Sequence, residues 1–261
     1  MRIIYIIITG ALLSTALLWL GRLGKLQRRT AALLTAACML LSGVLLLLAV
    51  LPGNSFYGNV LTHGNSERKQ IALTFDDGPY PPYTQNLLQV LAAKKVRATF
   101  FMVGENAARH PEVVRLVQSQ GHQIALHAGY HQDLLKLAPA QLKENIAYGK
   151  RTLEQLTGQP VHYMRPPHGF KDWLVLQTMQ EAGLQAVNWS VIPRDWTNPG
   201  VAQIVNRVCS SAEPGAIVLL HDGDSPKQAA PREQTVAATA QIIDRLQAEG
   251  YEFVTIEELV H

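Results

Sequence analysis

The 261-residue sequence predicts an α/β fold, a parallel (β/α) barrel of about seven strands preceded by a two-helix transmembrane hairpin. Three observations carry this expectation. Residues 3–20 and 31–51 are almost wholly apolar, each close to the roughly 20 residues that cross a bilayer. From Lys69 onward, short apolar runs alternate with amphipathic stretches, as strands joined by crossover helices do. Chemically active side chains then follow the C-terminal ends of several strands, which is the disposition of a barrel rather than an open sheet.

Between the two apolar segments lies a loop, residues 21–29, with four positive charges and no negative one. By the positive-inside rule this loop is cytoplasmic, and everything after Leu51 lies beyond the membrane. The competing reading makes residues 1–20 a cleaved signal peptide. Its apolar core is longer than usual and a second apolar segment follows at once, so the hairpin anchor is preferred. Residues 52–69, with Pro52, Gly53, Gly58 and Gly64 among polar neighbours, read as a linker to a catalytic domain over 70–261. The two cysteines, Cys38 and Cys209, fall on opposite sides of the membrane boundary and form no disulfide framework. A net charge of +3, much of it from the loop, gives no nucleic-acid footprint.

The soluble part then reads in order. Strands are expected over 71–75, 98–103, 122–126, 161–164, 184–191, 216–220 and 251–254. Helices are expected over 83–94, 111–120, 139–157, 173–181, 201–210 and 234–248. Gly121, Gly158 and Gly183 close three of them. No G-x-G-x-x-G follows the first strand, which weighs against dinucleotide binding, and there is no internal repeat.

The first strand ends abruptly in Asp76-Asp77-Gly78-Pro79. Neighbouring side chains at a strand end point in different directions, so the two carboxylates cannot share one role. After the third strand, His127-Ala128-Gly129-Tyr130-His131 places two imidazoles four apart, a spacing that a helical turn brings onto one face. With Asp77 as a third ligand, the pair can hold a cation and leave coordination positions open for hydrolysis. Asp76 then stands where a general base is needed, and His221, after the buried run 217–220, where a leaving amine or alcohol takes its proton. In Arg165-Pro166-Pro167-His168-Gly169 the prolines stiffen the chain, holding Arg165 toward a carboxylate and offering the His168 N–H to an oxyanion. Trp196 is suited to walling an apolar pocket or stacking on a sugar; core packing explains it equally well.

The ordered set Thr74-Phe75-Asp76-Asp77-Gly78-Pro79, His127-x-x-x-His131, Arg165-Pro166-Pro167-His168-Gly169, Arg194-Asp195-Trp196 and Leu219-Leu220-His221-Asp222 resembles the polysaccharide deacetylase family. This is the NodB-homology group, carbohydrate esterase family 4, and the resemblance spans about residues 70–258. It implies a distorted (β/α) barrel and metal-dependent removal of acetyl groups from N-acetylated sugars. It makes Asp76 the base, Asp77, His127 and His131 the ligands of a divalent ion, and His221 the acid. Arg165 and Asp195 become the residues that orient base and acid, and Leu219 and Trp196 line the pocket for the acetyl methyl. The implied ion is zinc, with cobalt or manganese as alternatives. The chain departs from the family pattern at Leu126, Ala128, His168 and Ile192, none of them a ligand, the base or the acid.

Together these readings predict a cell-membrane enzyme with an extracytoplasmic catalytic domain, acting on an N-acetylated cell-surface or exported polysaccharide or oligosaccharide such as peptidoglycan. They call for no nucleic acid and no protein partner. An acetyl-ester hydrolase with the same site, and a non-catalytic glycan-binding membrane protein, remain alternatives.

Overall fold

The structure is a computed structural model that describes residues 2–224 and 230–261. Two long helices come first, α1 (Ile3–Arg22) and α2 (Arg28–Val50). There follow β1 (Gln70–Asp76), α3 (Tyr83–Lys94), β2 (Thr99–Met102), α4 (Gly104–Arg109), α5 (Pro111–Ser119) and β3 (Gln123–Leu126). Next come α6 (Pro139–Thr157), β4 (Tyr163–Met164), α7 (Trp173–Glu181), β5 (Gln185–Ala186) and α8 (Val201–Ser211). The chain closes with β6 (Ile217–His221), α9 (Glu233–Ala248), β7 (Glu252–Phe253) and α10 (Ile256–Val260).

The expected helices and the seven expected strands are present, several strands shorter than their apolar runs. The sequence reading omitted α4, whose six residues are too few to declare a period. Local chemistry explains the helix boundaries. Pro139 opens α6 at a position whose N–H has no partner to lose, and Gly158 ends it in the left-handed region.

All strand pairs are parallel, in the order β5-β4-β3-β2-β1-β6, with β7 beside the start of β1 through Gln70 and Ile71. The sheet curls into a distorted barrel. Its seam is closed past β5 by a Val191–Val218 bridge to β6. Within the segment expected as a linker, Leu61 bridges Val187 and His63 bridges Ala216, so this stretch also lies along the seam.

Alternation along β1 sorts its side chains between two apolar layers. Ile71, Leu73 and Phe75 join the cluster between sheet and helices. Ala72 joins the barrel interior with Phe101, Ala125, Tyr163, Val187, Trp189, Ile217 and Leu219. Asp76, two pleats above Ala72 on the same face, therefore emerges at the C-terminal mouth of the barrel. Register pairs Asp76 with Phe101 on one side and His221 on the other.

Both α1 and α2 are long and apolar enough to cross a membrane. Against the barrel they pack through one end, where Ile3 and Ala49 are buried and Ile6, Ile7, Leu45 and Leu48 lean on the core, while Ser14, Gly21, Ala31 and Thr35 are buried farther along the pair. Elsewhere apolar side chains such as Leu12, Leu33 and Leu40 are exposed, a pattern that water penalises.

Candidate active site

The C-terminal ends of β1, β3, β4 and β6 and the turn after β5 surround one cleft of about 440 Å³. Asp76, Asp77, His127, His131, His168, Trp196, Leu219 and His221 all line it. The expected site residues thus converge, although they come from positions spread over nearly 150 residues of chain.

One wall belongs to β1, β3 and β4. Arg165 is fully buried and donates from Nη1 to Asp76 Oδ1 at 2.6 Å and to Thr74 Oγ1 at 2.7 Å. Its Nη2 donates to the Asn188 carbonyl at 2.8 Å, and its guanidinium lies 4.1 Å from the Phe101 ring centre. Burial pulls the Arg165 pKa down, against the opposing pull of Asp76, and a guanidinium still stays charged. Thr74, the Asn188 carbonyl and Phe101 thus fix Arg165, which in turn orients Asp76.

Asp77, His127 and His131 form the second feature of this wall. One donor atom from each lies within 4.8 Å of the others. Asp77 Oδ1 stands 3.3 Å from His127 Nε2 and 3.1 Å from His131 Nε2, yet this oxygen has no hydrogen-bond partner among the described residues. Burial alone raises the Asp77 pKa, but the two imidazoles outweigh it and hold the carboxyl well below its ordinary value. For His131 burial acts downward and Asp77 more than compensates, so its pKa rises. An orphaned buried carboxylate oxygen facing two imidazole nitrogens is a donor set that fits a divalent cation of zinc type.

The helical turn expected for the His127–His131 spacing does not form. These residues make an irregular loop in which Ala128 adopts a φ of 67°. Asn145 of α6 holds the loop instead, its Oδ1 accepting from the Gly129 N–H at 2.8 Å. Gly129 is itself required: a Cβ there would stand 2.2 Å from the Asn145 carbonyl oxygen. Asp77, His168 and Arg194 also have positive φ, so four strained non-glycine residues cluster where strands end at the cleft.

The adjoining wall belongs to β6, the strand beside β1, and to the Asp195–Thr197 turn. His221 Nδ1 and Asp195 Oδ1 are 2.9 Å apart, and the His221 N–H donates to Asp195 Oδ2, also at 2.9 Å. Thr235 Oγ1 of α9 donates to the same Oδ2 at 2.8 Å. Burial acts to lower the His221 pKa, but Asp195 dominates and lifts it to about 9. Trp196 is partly exposed and meets the His221 ring edge-on at 5.1 Å, so it walls the cleft rather than packing in the core. Leu219 is buried beneath them.

His168 stands at the rim in the left-handed region, and no backbone carbonyl among the described residues accepts its N–H. Burial and the neighbouring His131 lower its side-chain pKa. Asp222, next to His221, is buried and accepts from Thr84 Oγ1 at 2.6 Å, and burial raises its pKa to about 7.

Sequence reasoning missed several contributors. Thr74, Asn145, Asn188 and Thr235 support the groups just described, and Val50, Pro52, Phe170, Trp189 and Arg232 line the cleft. Thr74 carried a signal, a polar residue at an inward strand position. The others lie in unremarkable contexts and meet the site only through the fold.

Comparison with known proteins places the chain in a family. The sequence model of the family described as "Polysaccharide deacetylase" matches residues 63–187. A peptidoglycan-N-acetylglucosamine deacetylase of Bacillus cereus is 44% identical over 197 residues, covering 75% of this chain and 90% of that protein. A chitooligosaccharide deacetylase of a Bradyrhizobium species is 40% identical over 210 residues, covering 78% of this chain and 94% of that protein. Among solved structures, the Bc1960 peptidoglycan N-acetylglucosamine deacetylase superposes with a TM-score of 0.73 at 31% identity. That match covers 77% of this chain and 92% of the other. The chain belongs to the polysaccharide deacetylase family.

Proposed function

We propose that this family member is a membrane-anchored, metal-dependent hydrolase that removes N-acetyl groups from a cell-surface or exported glycan. What supports the reading is the pairing of two backed groups, Arg165–Asp76 and Asp195–His221, on neighbouring strands at the mouth of one cleft that the Asp77, His127 and His131 cluster also lines. The names of the similar proteins add that N-acetylated glycans, peptidoglycan and chitin oligomers first, are the substrates to try.

Asp77, His127 and His131 would hold the cation. Bound there, a divalent ion of zinc type supplies Lewis-acid polarisation and acidifies water to near neutrality. Asp76 accepts the proton of the attacking water, and Arg165 keeps its second oxygen engaged so that one face of the carboxylate is presented. As the carbonyl carbon becomes tetrahedral, the His168 N–H donates to the developing oxyanion. His221 delivers the proton on Nε2 to the departing nitrogen, the C–N bond breaks, and acetate and a free amine result. Asp195 fixes the tautomer by engaging Nδ1 and stabilises the protonated ring. Leu219 and Trp196 give the acetyl methyl an apolar wall, which favours a small acyl group.

Helices α1 and α2 would form the hairpin anchor, with the loop 21–29 cytoplasmic and the cleft outside. The test is acetate release by the full chain in detergent micelles from chitin oligomers and peptidoglycan, before and after chelation. Acetate that stops with chelator and returns with zinc is the expected outcome. Release from acetylated hydroxyls alone would instead establish the ester-cleaving reading.

A further inference from the structure

The cleft is not walled by the barrel alone. Val50, the last residue of α2, and Pro52 line it together with Asp76 and His221. The end of a candidate membrane span is therefore part of the site that holds the reacting groups.

This end of α2 is held by an extensive set of bonds. The Lys171 N–H donates to the Ala49 carbonyl at 3.0 Å, and its Nζ donates to the carbonyls of Leu51 at 2.6 Å and Pro52 at 3.2 Å. A helix leaves its last carbonyls without partners, and a cation there is favourable. Burial lowers the Lys171 pKa to about 8. Asn188 Nδ2 donates to the Pro52 carbonyl at 2.9 Å, while the Asn188 carbonyl accepts from Arg165, which grips Asp76. Four residues thus run from the anchor to Asp76. Helix α1 docks beside it: Arg2 is buried 3.6 Å from Asp172, and the Ile3 N–H donates to Asp172 Oδ2 at 3.1 Å.

The level of the interface is marked independently. Phe56, Tyr57 and Trp173 form an aromatic cluster with ring centres 4.9–5.5 Å apart, directly after the span. Aromatic residues concentrate where a span leaves the hydrocarbon. Around the cleft mouth Ile192 and Trp196 are exposed, so the rim beside the anchor is apolar.

We propose that the last turn of α2 is a fixed wall of the catalytic cleft, that the cleft opens at the membrane–water interface, and that its substrate is an N-acetylated sugar carried directly on a membrane lipid. This rests on the deacetylase and hairpin readings above. A sugar one linkage from a lipid headgroup sits at the height of Val50, whereas a polymer lying farther out must descend to the bilayer to reach Asp76. The docking of Arg2 and Ile3 also makes α1 a structural part of the enzyme rather than a removable leader.

The test uses the full chain, loaded with zinc, in vesicles of phosphatidylethanolamine and phosphatidylglycerol. Three substrates are compared at equal sugar concentration by acetate release: polyprenyl-diphosphate-linked N-acetylglucosamine, the same sugar on lipid through a long polyethylene glycol spacer, and soluble chitotetraose. The directly linked sugar is expected to lead the spacer-linked one by about tenfold in kcat/KM, since both share the gain of being on the membrane. Lys171→Met is expected to erase that lead, read as the ratio of direct to spacer-linked turnover in one preparation, whatever it does to the absolute rate on chitotetraose. Equal use of the spacer-linked or soluble sugar overturns the proposal, as does Lys171→Met slowing all three alike. Should that variant fail to fold, the native chain's preference decides. No acetate from any substrate by zinc-loaded chain overturns the deacetylase reading itself.

Discussion

The two walls of the cleft use the same device with opposite signs. On one, a buried cation stands behind a carboxylate, Arg165 behind Asp76; on the other, a buried carboxylate stands behind an imidazole, Asp195 behind His221. They differ in how they are built. The first wall is composed of strand ends whose supports, Thr74 and the Asn188 carbonyl, lie inside the barrel. The second relies on a short turn and on Thr235, borrowed from α9 across the outside of the sheet. The difference teaches that the first wall is made rigid by the barrel itself, while the second is tuned by packing around it. Changes to the first should therefore abolish function, and changes to the second should shift its rate and pH dependence.

The largest effect is expected at the cation cluster. His127→Ala and His131→Ala each leave the set with two donors, so bound metal, read by elemental analysis, and acetate release should both fall to background. Unchanged metal content would refute the ligand assignment. Asp76→Asn should keep the metal and lower kcat by about 10³–10⁴-fold, the upper part of the range for a positioned base. Near-normal turnover would remove Asp76 from the chemistry and erase the symmetry between the walls.

Asp195→Asn sharpens the contrast. With Asp195 present, His221 has a pKa of about 9 against an ordinary 6.5, so it carries its proton throughout the neutral range. Activity that depends on this proton holds below about 9 and declines as pH rises through it. The associated stability has the same sign: it is fully present below 6.5 and lost as pH rises through about 9. The variant should lower kcat by about 10²-fold and move the alkaline limb of the kcat/KM profile down toward 6.5. An unmoved limb would assign it to another group. Thr235→Val removes one of the hydrogen bonds to Asp195 and should cost about 1 kcal/mol, a few-fold in kcat, with a smaller shift of the same limb.

Much of this site was legible in the sequence because its chemistry sits at strand ends. Apolar runs mark the strands, and the residue types that follow, Asp76-Asp77, His127, Arg165 and His221, stand out against them. The support shell was not legible. Asn145 and Thr235 are polar residues on helices, where such residues ordinarily face water, and Asn188 follows a strand of two residues. The helical turn expected at His127–His131 failed for a related reason. A local rule of spacing was overridden by a tertiary bond from Asn145 and by the close approach of Gly129 to α6.

The sequence by itself determined the order of strands and helices, the apolar hairpin, and which side chains end each strand. These follow from periods of two and 3.6 residues and from breakers, all of which act over a few neighbours. Only the tertiary structure decided that Arg165 reaches Asp76 across 89 residues, that Thr235 reaches Asp195 across 40, and that Val50 closes the cleft beside them. Such distances depend on how far the sheet curls and on where helix α2 docks. Both are set by the packing of the whole core, which no local stretch of sequence encodes.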